Sequence, residues 1–232
     1  MQKQDNLVRL CGRIVNRYDK EKVTIITLSV AETSRNGEQR INYPRIYFFH
    51  TDGAGAEQFF RNDQVAITAH VATPRKYRNT GEEYVSQALV GDTITTRKSM
   101  YELLDLPGMG RGPLEPQMNE AVFTGTLSSI RKLSDKSAQI ILDTINDGHR
   151  NNITMNIANT DAFKMQIGDV VTVTGKIVTG YYVEDEKGNL RLPNQNVSEE
   201  KNSEEKEKRR YFQRVLGLSI AKPEPEKEAT EA

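Results

Sequence analysis

Apolar and polar residues alternate along the start of the chain with the period-two pattern of a β-strand. Over residues 7–15 one face of the predicted strand is apolar, and the other carries Arg9, Arg13 and Arg17. Further runs rich in β-branched residues predict strands at 23–30, 43–50, 64–73 and 84–90, with a short helix at 53–60 before the fourth strand. Three strands, a helix and two strands within about 90 residues is the order of an OB-fold, a five-stranded Greek-key barrel with binding loops.

The same order returns in the second half of the chain. Residues 64–73 read QVAITAHVAT and residues 170–179 read VVTVTGKIVT, with Asp63 and Asp169 just before each run. Residues 10–14 (LCGRI) correspond in the same way to residues 123–127 (FTGTL). Strands are therefore expected at 121–133, 138–146, 151–157, 170–182 and 190–197, with a short helix at 161–164. The period is too long for a solenoid, so we predict an all-β chain of two tandem OB-fold five-stranded barrels over 1–97 and 119–197.

The segments outside these two domains differ in composition. Residues 98–118 contain the glycine- and proline-rich run PGMGRGP, which predicts a linker. Residues 199–210 are highly charged, and an i, i+4 apolar spacing then pairs Tyr211 with Val215 and Phe212 with Leu216, which favours a helix over 199–218. The Pro/Glu-rich end predicts disorder, so 198–232 is expected to form a charged C-terminal helix and an acidic tail.

Overall composition indicates a soluble globular protein. The 232 residues are 28% charged and 36% hydrophobic, with no apolar run of membrane-spanning length and no signal-peptide pattern, so we expect a cytoplasmic protein without a membrane partner. Cys11 is the only cysteine, which rules out an intrachain disulfide. The net charge of zero hides a balance of +4 over residues 1–100 and −3 over 101–197, so polyanion binding is expected to centre on the first domain, 1–97.

Candidate binding residues are aromatic and basic side chains on strands. In the third strand Tyr43, Arg45, Tyr47 and Phe49 share one face, while Ile46 and Phe48 point into the barrel. Exposed rings can stack bases and cations can neutralise phosphates, although strand Tyr and Phe also serve as ordinary packing residues. Arg13 and the hairpin after the fourth strand extend the set with Arg75, Lys76, Tyr77, Arg78 and Tyr84.

The second domain offers fewer such residues, namely Lys176, Tyr181 and Tyr182. Its strand corresponding to residues 43–49 supplies Asn, Thr, Ile and Met in place of rings. This domain is therefore expected either to bind weakly or to serve in assembly.

Signals for catalysis are missing from the sequence. His50, His70 and His149 are isolated from other metal-ligand types, and the glycines of 108–112 lack the Lys-Ser/Thr of a phosphate loop. We expect no enzymatic activity, metal or cofactor.

Residues 6–95 resemble the bacterial and phage single-stranded DNA-binding protein family, whose members have the OB-fold. The resemblance rests on Gly12-Arg13-Ile14, on residues 26–31 (ITLSVA), on Tyr43-Pro44-Arg45, on residues 59–63 (FFRND) and on Arg75-Lys76-Tyr77. It implies coating of single-stranded DNA without sequence specificity in replication, recombination or repair, with stacking on Tyr43, Phe49 and Tyr77 and phosphate contacts from Arg75 and Lys76. Because family particles contain four OB domains, it also implies a homodimer with four barrels.

The chain departs from the family pattern in three places. It has no Trp, the exit of the second strand lacks a ring, and the C-terminus lacks the acidic tip ending in Pro-Phe that recruits replication and repair proteins. Recruitment of such proteins through the C-terminal segment therefore stays open. Two other hypotheses fit an OB-fold as well: an adaptor that binds proteins, and a single-stranded RNA binder. We expect the protein to be associated with the nucleoid in the cytoplasm. A chromosomal housekeeping role, a phage and a mobile element are all compatible with the sequence, and the double barrel and atypical tail favour the latter two.

Overall fold

Nearly all the regular structure among the described residues is β-strand. The computed structural model describes residues 5–33, 37, 39–77, 83–96, 118–146, 148–184, 190–191 and 208–223. The first half contains β1 (Asn6–Lys20), β2 (Val23–Thr33), β3 (Gln39–Asn42), β4 (Arg45–Phe49), β5 (Gln64–Ala72), β6 (Arg75–Tyr77), β7 (Glu83–Val85) and β8 (Ala88–Thr96). The second half contains β9 (Met118–Ser134), β10 (Ser137–Asn146), β11 (His149–Ile157), β12 (Val170–Glu184), β13 (Leu190–Arg191) and β14 (Lys208–Ala221).

The helices among the described residues are short 3₁₀ turns at His50–Asp52, Ala56–Gln58 and Thr160–Lys164. None of the described helices is long and apolar enough to cross a bilayer. The predicted all-β class is therefore confirmed.

Five strands of the first half close into a barrel. β1 pairs with β2 and β5, β5 pairs with β8, β8 pairs in parallel with β4, and β4 returns to β2. The apolar side of each alternation faces inward, and the predicted burial of Ile46 and Phe48 is confirmed. This first barrel fits the predicted OB-fold.

The strands of the second half form a second closed set of pairings. β9 pairs with β10 and β12, β10 pairs with β11, β11 pairs in parallel with β14, and β14 returns to β12. We call these strands the second strand set. Its apolar interior is continuous with that of the first barrel.

The closing strand β14 corrects the prediction of a C-terminal helix. The helix over 199–218 is wrong for residues 208–218, which pair with β12 along their length, while 199–207 lie outside the described residues. An i, i+4 spacing also satisfies a period of two, so the apolar pairs that favoured a helix fit a strand equally well. Val215 and Ile220 are buried in this strand. Of the fifth strand expected at 190–197, only Leu190–Arg191 is described, and it pairs with the end of β12.

Most of the predicted linker and tail lies outside the described residues. Of the linker over 98–118, only Met118 is described, as the first residue of β9. The tail beyond Pro223 also lies outside the described residues.

The two halves are joined by antiparallel pairing of β1 with β9 about an approximate two-fold axis. Asn6 is opposite Phe123 and Asn119 is opposite Leu10, and these two pairs correspond under the sequence repeat. Asn6 bonds both backbone groups of Val71 at 2.9 Å. Asn119 bonds both backbone groups of Ile177, at 2.7 and 2.9 Å. The repeat therefore extends to individual hydrogen bonds.

The turns before β5 and β12 also repeat. Asp63 accepts a hydrogen bond from the backbone N–H of Phe60 at 2.7 Å, and Asp169 accepts one from Gln166 at 2.9 Å. The preceding residues, Asn62 and Gly168, both have left-handed backbone, with φ of 81° and 95°. The two aspartates that precede the repeated strands thus shape the same turn twice.

A β-bulge changes which face of β1 its basic residues occupy. The register shifts between Ile14 and Asn16, so Arg13 is opposite Ser29 whereas Arg17 is opposite the buried Ile26. The predicted sharing of one face by Arg9, Arg13 and Arg17 is therefore wrong for Arg17, because an extra residue in a strand inverts the alternation beyond it.

Candidate nucleic-acid interface

The outer face of β4 presents the aromatic and basic residues expected there. Tyr43 is 50% exposed and Phe49 is 42% exposed, Arg45 is also exposed, and Tyr47 is half-buried. Tyr43 lies just before the strand, followed by Pro44, whose carbonyl accepts a hydrogen bond from the N–H of Leu28 at 3.0 Å. The rings are thus carried by a sheet whose inner face is packed.

This face continues onto β1 through β2. Tyr47 is opposite Ile25, which is opposite Tyr18, and Phe49 is opposite Val23, which is opposite Lys20. Residues directly opposite one another lie on the same side of a sheet, so Tyr18 and Lys20 share the outer face. Tyr18 is 57% exposed, and the Nζ of Lys20 lies 5.6 Å from its ring centroid. We call Tyr43, Arg45, Tyr47, Phe49, Tyr18 and Lys20 the β4 face.

The sequence interpretation did not include Tyr18 and Lys20 because both lie beyond the strand predicted over residues 7–15. The chain turns at Glu21–Lys22, so both residues lie in β1. The sequence did contain a clue to their position. If the β1–β2 hairpin is extended to a two-residue turn, Tyr18 and Lys20 pair with β2, which in turn pairs with β4.

The acidic residue between them is held on the other side of the sheet. A hydrogen bond from Arg17 is the main cause that lowers the pKa of Asp19, and a second hydrogen bond, from Thr24, adds to it. Arg17 also donates to the carbonyl of Phe59 at 2.7 Å and lies 4.8 Å from the ring of Phe60. The negative charge of Asp19 is thus compensated away from the β4 face.

The predicted hairpin after β5 is present as a backbone ribbon. Arg75 is opposite Val85, Lys76 is opposite Tyr84, and Tyr77 is opposite Glu83. Arg78 lies outside the described residues, as do the side chains of Lys76, Tyr77 and Tyr84. Arg75 is exposed, and Arg13 is half-buried on β1.

The second strand set contributes residues that lie apart from one another. Lys176 pairs with Glu32 of the first barrel, and Asn119 also donates to Glu32. The charge of Lys176 is therefore compensated by Glu32 where the two halves meet. Tyr181 and Tyr182 lie farther along β12, and their ring centroids are 5.9 Å from that of Tyr211 and 4.9 Å from that of Phe212, respectively.

The β4 face directly touches β12 and β14. The backbone N–H of Tyr43 donates to Thr179 at 2.7 Å, and that of Arg45 donates to the side chain of Gln213 at 2.7 Å. Gln213 returns a hydrogen bond to the carbonyl of Arg45 at 3.2 Å, and the N–H of Thr179 donates to Asn42 at 3.0 Å. The two halves thus meet at the start of β4.

The described residues contain no group of His, Cys, Asp and Glu placed to hold a metal ion. The Nδ1 of His70 lies 2.7 Å from Asp92, on the strand pair β5–β8. This contact is an ordinary cross-strand pair.

Solved structures with a similar fold are known. The chain is similar to a deletion mutant of the single-stranded DNA-binding protein from Thermus aquaticus, with a TM-score of 0.60 and 15% identity over 100% of both chains. For the wild-type protein from the same organism the TM-score is 0.59 and the identity 14%, over 99% of this chain and 98% of that one. No protein-family model and no curated protein matches the sequence. At this identity the likeness shows a shared fold.

Proposed function

We propose that this chain binds and coats single-stranded DNA without sequence specificity. The observation that carries the proposal is the β4 face, where exposed rings and cations alternate on a packed sheet. Base stacking on such rings contributes about 1–3 kcal/mol per base and tolerates any sequence, because every base has a π-face. The shared fold with proteins that bind single-stranded DNA supports the same conclusion.

The proposed site comprises the β4 face together with Arg13 and the β6–β7 hairpin residues Arg75, Lys76, Tyr77, Arg78 and Tyr84. Arg45 lies between Tyr43 and Tyr47, and Lys20 lies beside Tyr18. Both can contact phosphates as neighbouring bases stack. Each phosphate neutralised on a single strand lowers the slope of log K against log salt concentration by about 0.7. Binding should therefore weaken steeply with salt.

The organisation we propose is two tandem OB barrels, over 1–97 and 119–197, with β14 of the C-terminal segment completing the second. The repeated asparagine bridges and turns support this reading. A homodimer would then contain four barrels, as the resemblance implies. We further propose that the protein acts in replication, recombination or repair at the cytoplasmic nucleoid. Its C-terminal segment would recruit partner proteins.

A titration tests the proposal. We expect a fluorescent oligo-dT to bind more tightly than a duplex of equal length at every salt concentration. Phe49→Ala and Tyr47→Ala should each weaken binding about 5- to 100-fold, as loss of about 1–3 kcal/mol of stacking requires. Phe163→Ala is the matched control. Phe163 lies in the Thr160–Lys164 turn, outside the proposed site, and its 39% exposed ring has a cation, Lys132, beside it. Equal affinity for the two forms of DNA, or an equal effect of the control, would contradict the proposal.

Competition separates the remaining hypotheses. An excess of RNA oligonucleotide should displace bound oligo-dT poorly, and efficient displacement would favour the RNA-binding function instead. A protein adaptor would bind neither oligonucleotide.

A further inference from the structure

We propose that the ribbon formed by residues 178–184 of β12 and 208–214 of β14 is a second single-stranded nucleic-acid contact, continuous with the β4 face. This inference rests on the proposed function. It extends the site to Arg209 and Tyr211, which the sequence analysis placed in a C-terminal helix, and joins them to Tyr181, a candidate named from the sequence. The residues that carry it are Tyr211, Tyr181 and Arg209.

Three side chains form an aromatic-basic cluster on one face of the ribbon. Tyr181 and Tyr211 are directly opposite each other, and Val183 is opposite Arg209 at the next position on the same side. The guanidinium of Arg209 lies 4.8 Å from the ring centroid of Tyr181. Tyr211 is 77% exposed, more than any ring of the β4 face, so most of its surface is available to a base.

The opposite face of the ribbon has its own cross-strand contacts. Phe212 contacts Tyr182, and the guanidinium of Arg214 lies 4.8 Å from the Phe212 ring centroid. A side chain at Gly180 would put a Cβ 2.6 Å from the Phe212 ring, so only glycine allows this ring to lie flat on β12. Tyr211 therefore lies on a paired strand whose other face is occupied by the Phe212–Tyr182 contact.

Continuity with the β4 face follows from the register. Thr179 is opposite Gln213, one same-side step before the Tyr181–Tyr211 pair. Thr179 and Gln213 are the residues that bond the backbone of Tyr43 and Arg45. Same-side residues along a strand are about 7 Å apart. Tyr181 and Tyr211 therefore begin one step beyond the contact, on the face of the ribbon turned toward the first barrel.

The charge on this face suits a polyanion. A guanidinium stacked on a ring keeps its full positive charge, because the ring carries no net charge to compensate it. Arg209 is thereby held beside the two tyrosines, which supplies a phosphate contact next to stacking surfaces. A strand that leaves the β4 face at Tyr43 meets this cluster first.

Oligonucleotide length provides the test in the full chain. One OB domain covers about 4–16 nucleotides, so dT of about 4 nucleotides is confined to the β4 face and dT of about 30 also reaches the ribbon. We expect Tyr211→Ala to weaken binding of the long oligonucleotide about 5- to 20-fold and of the short one less than twofold. Tyr211→Phe, which keeps the ring, should restore binding. Arg209→Gln should reduce the salt slope for the long oligonucleotide by about 0.7.

The controls separate the two proposals. Leu218→Ala changes a 52% exposed residue of the same strand and should leave both affinities unchanged. Phe49→Ala should weaken both oligonucleotides. If the wild-type chain binds the long oligonucleotide and Tyr211→Ala and Arg209→Gln bind it equally well, the ribbon inference is wrong and the proposed function stands. If the wild-type chain binds neither oligonucleotide, both are wrong.

Discussion

Replacing Asn6 by Ala should destabilise the protein more than any exposed substitution on the same strand. Asn6 is 9% exposed and stands where the next pair of the β1–β5 ladder would fall, with its amide bonded to both backbone groups of Val71 at 2.9 Å. The side chain thus replaces the missing ladder pair. Alanine leaves a buried N–H and a buried carbonyl without partners.

The expected cost follows from those two groups. Each buried polar group left unsatisfied costs about 1–3 kcal/mol, and hydrogen bonding to water that enters the space left by the side chain reduces the total to about 2–4 kcal/mol. In urea unfolding followed by circular dichroism, an m-value of about 3 kcal/mol/M converts this to a midpoint shift of about 1 M at unchanged m.

Two variants calibrate this measurement. Asn16→Ala, at an exposed position of β1, should cost less than about 0.5 kcal/mol. Asn119→Ala should also cost more than Asn16→Ala, because Asn119 makes the same pair of bonds to Ile177 and a further one to Glu32. A loss below about 1 kcal/mol for Asn6→Ala, or one equal to that of Asn16→Ala, would refute the reasoning.

Three other predictions concern packing and charge. Gly12→Ala should lower the free energy of unfolding by about 1–3 kcal/mol in thermal melts, because the added Cβ would lie 2.5 Å from a backbone carbonyl oxygen. Because the pKa of Asp19 is lowered in the folded state, its stabilising contribution is complete well above the unfolded value of 3.8 and is lost as pH falls through the folded pKa. Arg17→Gln should therefore flatten the acid limb of a stability–pH profile, and an unchanged limb would contradict this. Glu32→Gln should cost about 1 kcal/mol by leaving Lys176 half-buried without its carboxylate, and Lys176→Met in that background should recover most of it in a double-mutant cycle.

Much of the fold could be predicted from local pattern. The alternation in residues 7–15 and 43–50 set which side chains face inward, since a period of two fixes sides whatever the partner strand is. The sequence repeat could be recognised because both halves contain an aspartate just before the repeated strand, Asp63 and Asp169. The β4 face followed from parity alone, apart from its extension to Tyr18 and Lys20. That extension depends on where the β1–β2 hairpin turns and on the bulge between Ile14 and Asn16.

Sequence alone thus determined the β class, the repeated order of strands and the inward or outward side of the residues in 7–14 and 43–49, because these depend on neighbours a few residues apart. Only the tertiary structure decided that Lys208–Ala221 is a strand, since its apolar spacing fits helix and strand alike until pairing with β12 chooses. It also brought Gln213 to the backbone of Arg45, 168 residues away in sequence. Such contacts depend on register between distant segments, which no local pattern encodes.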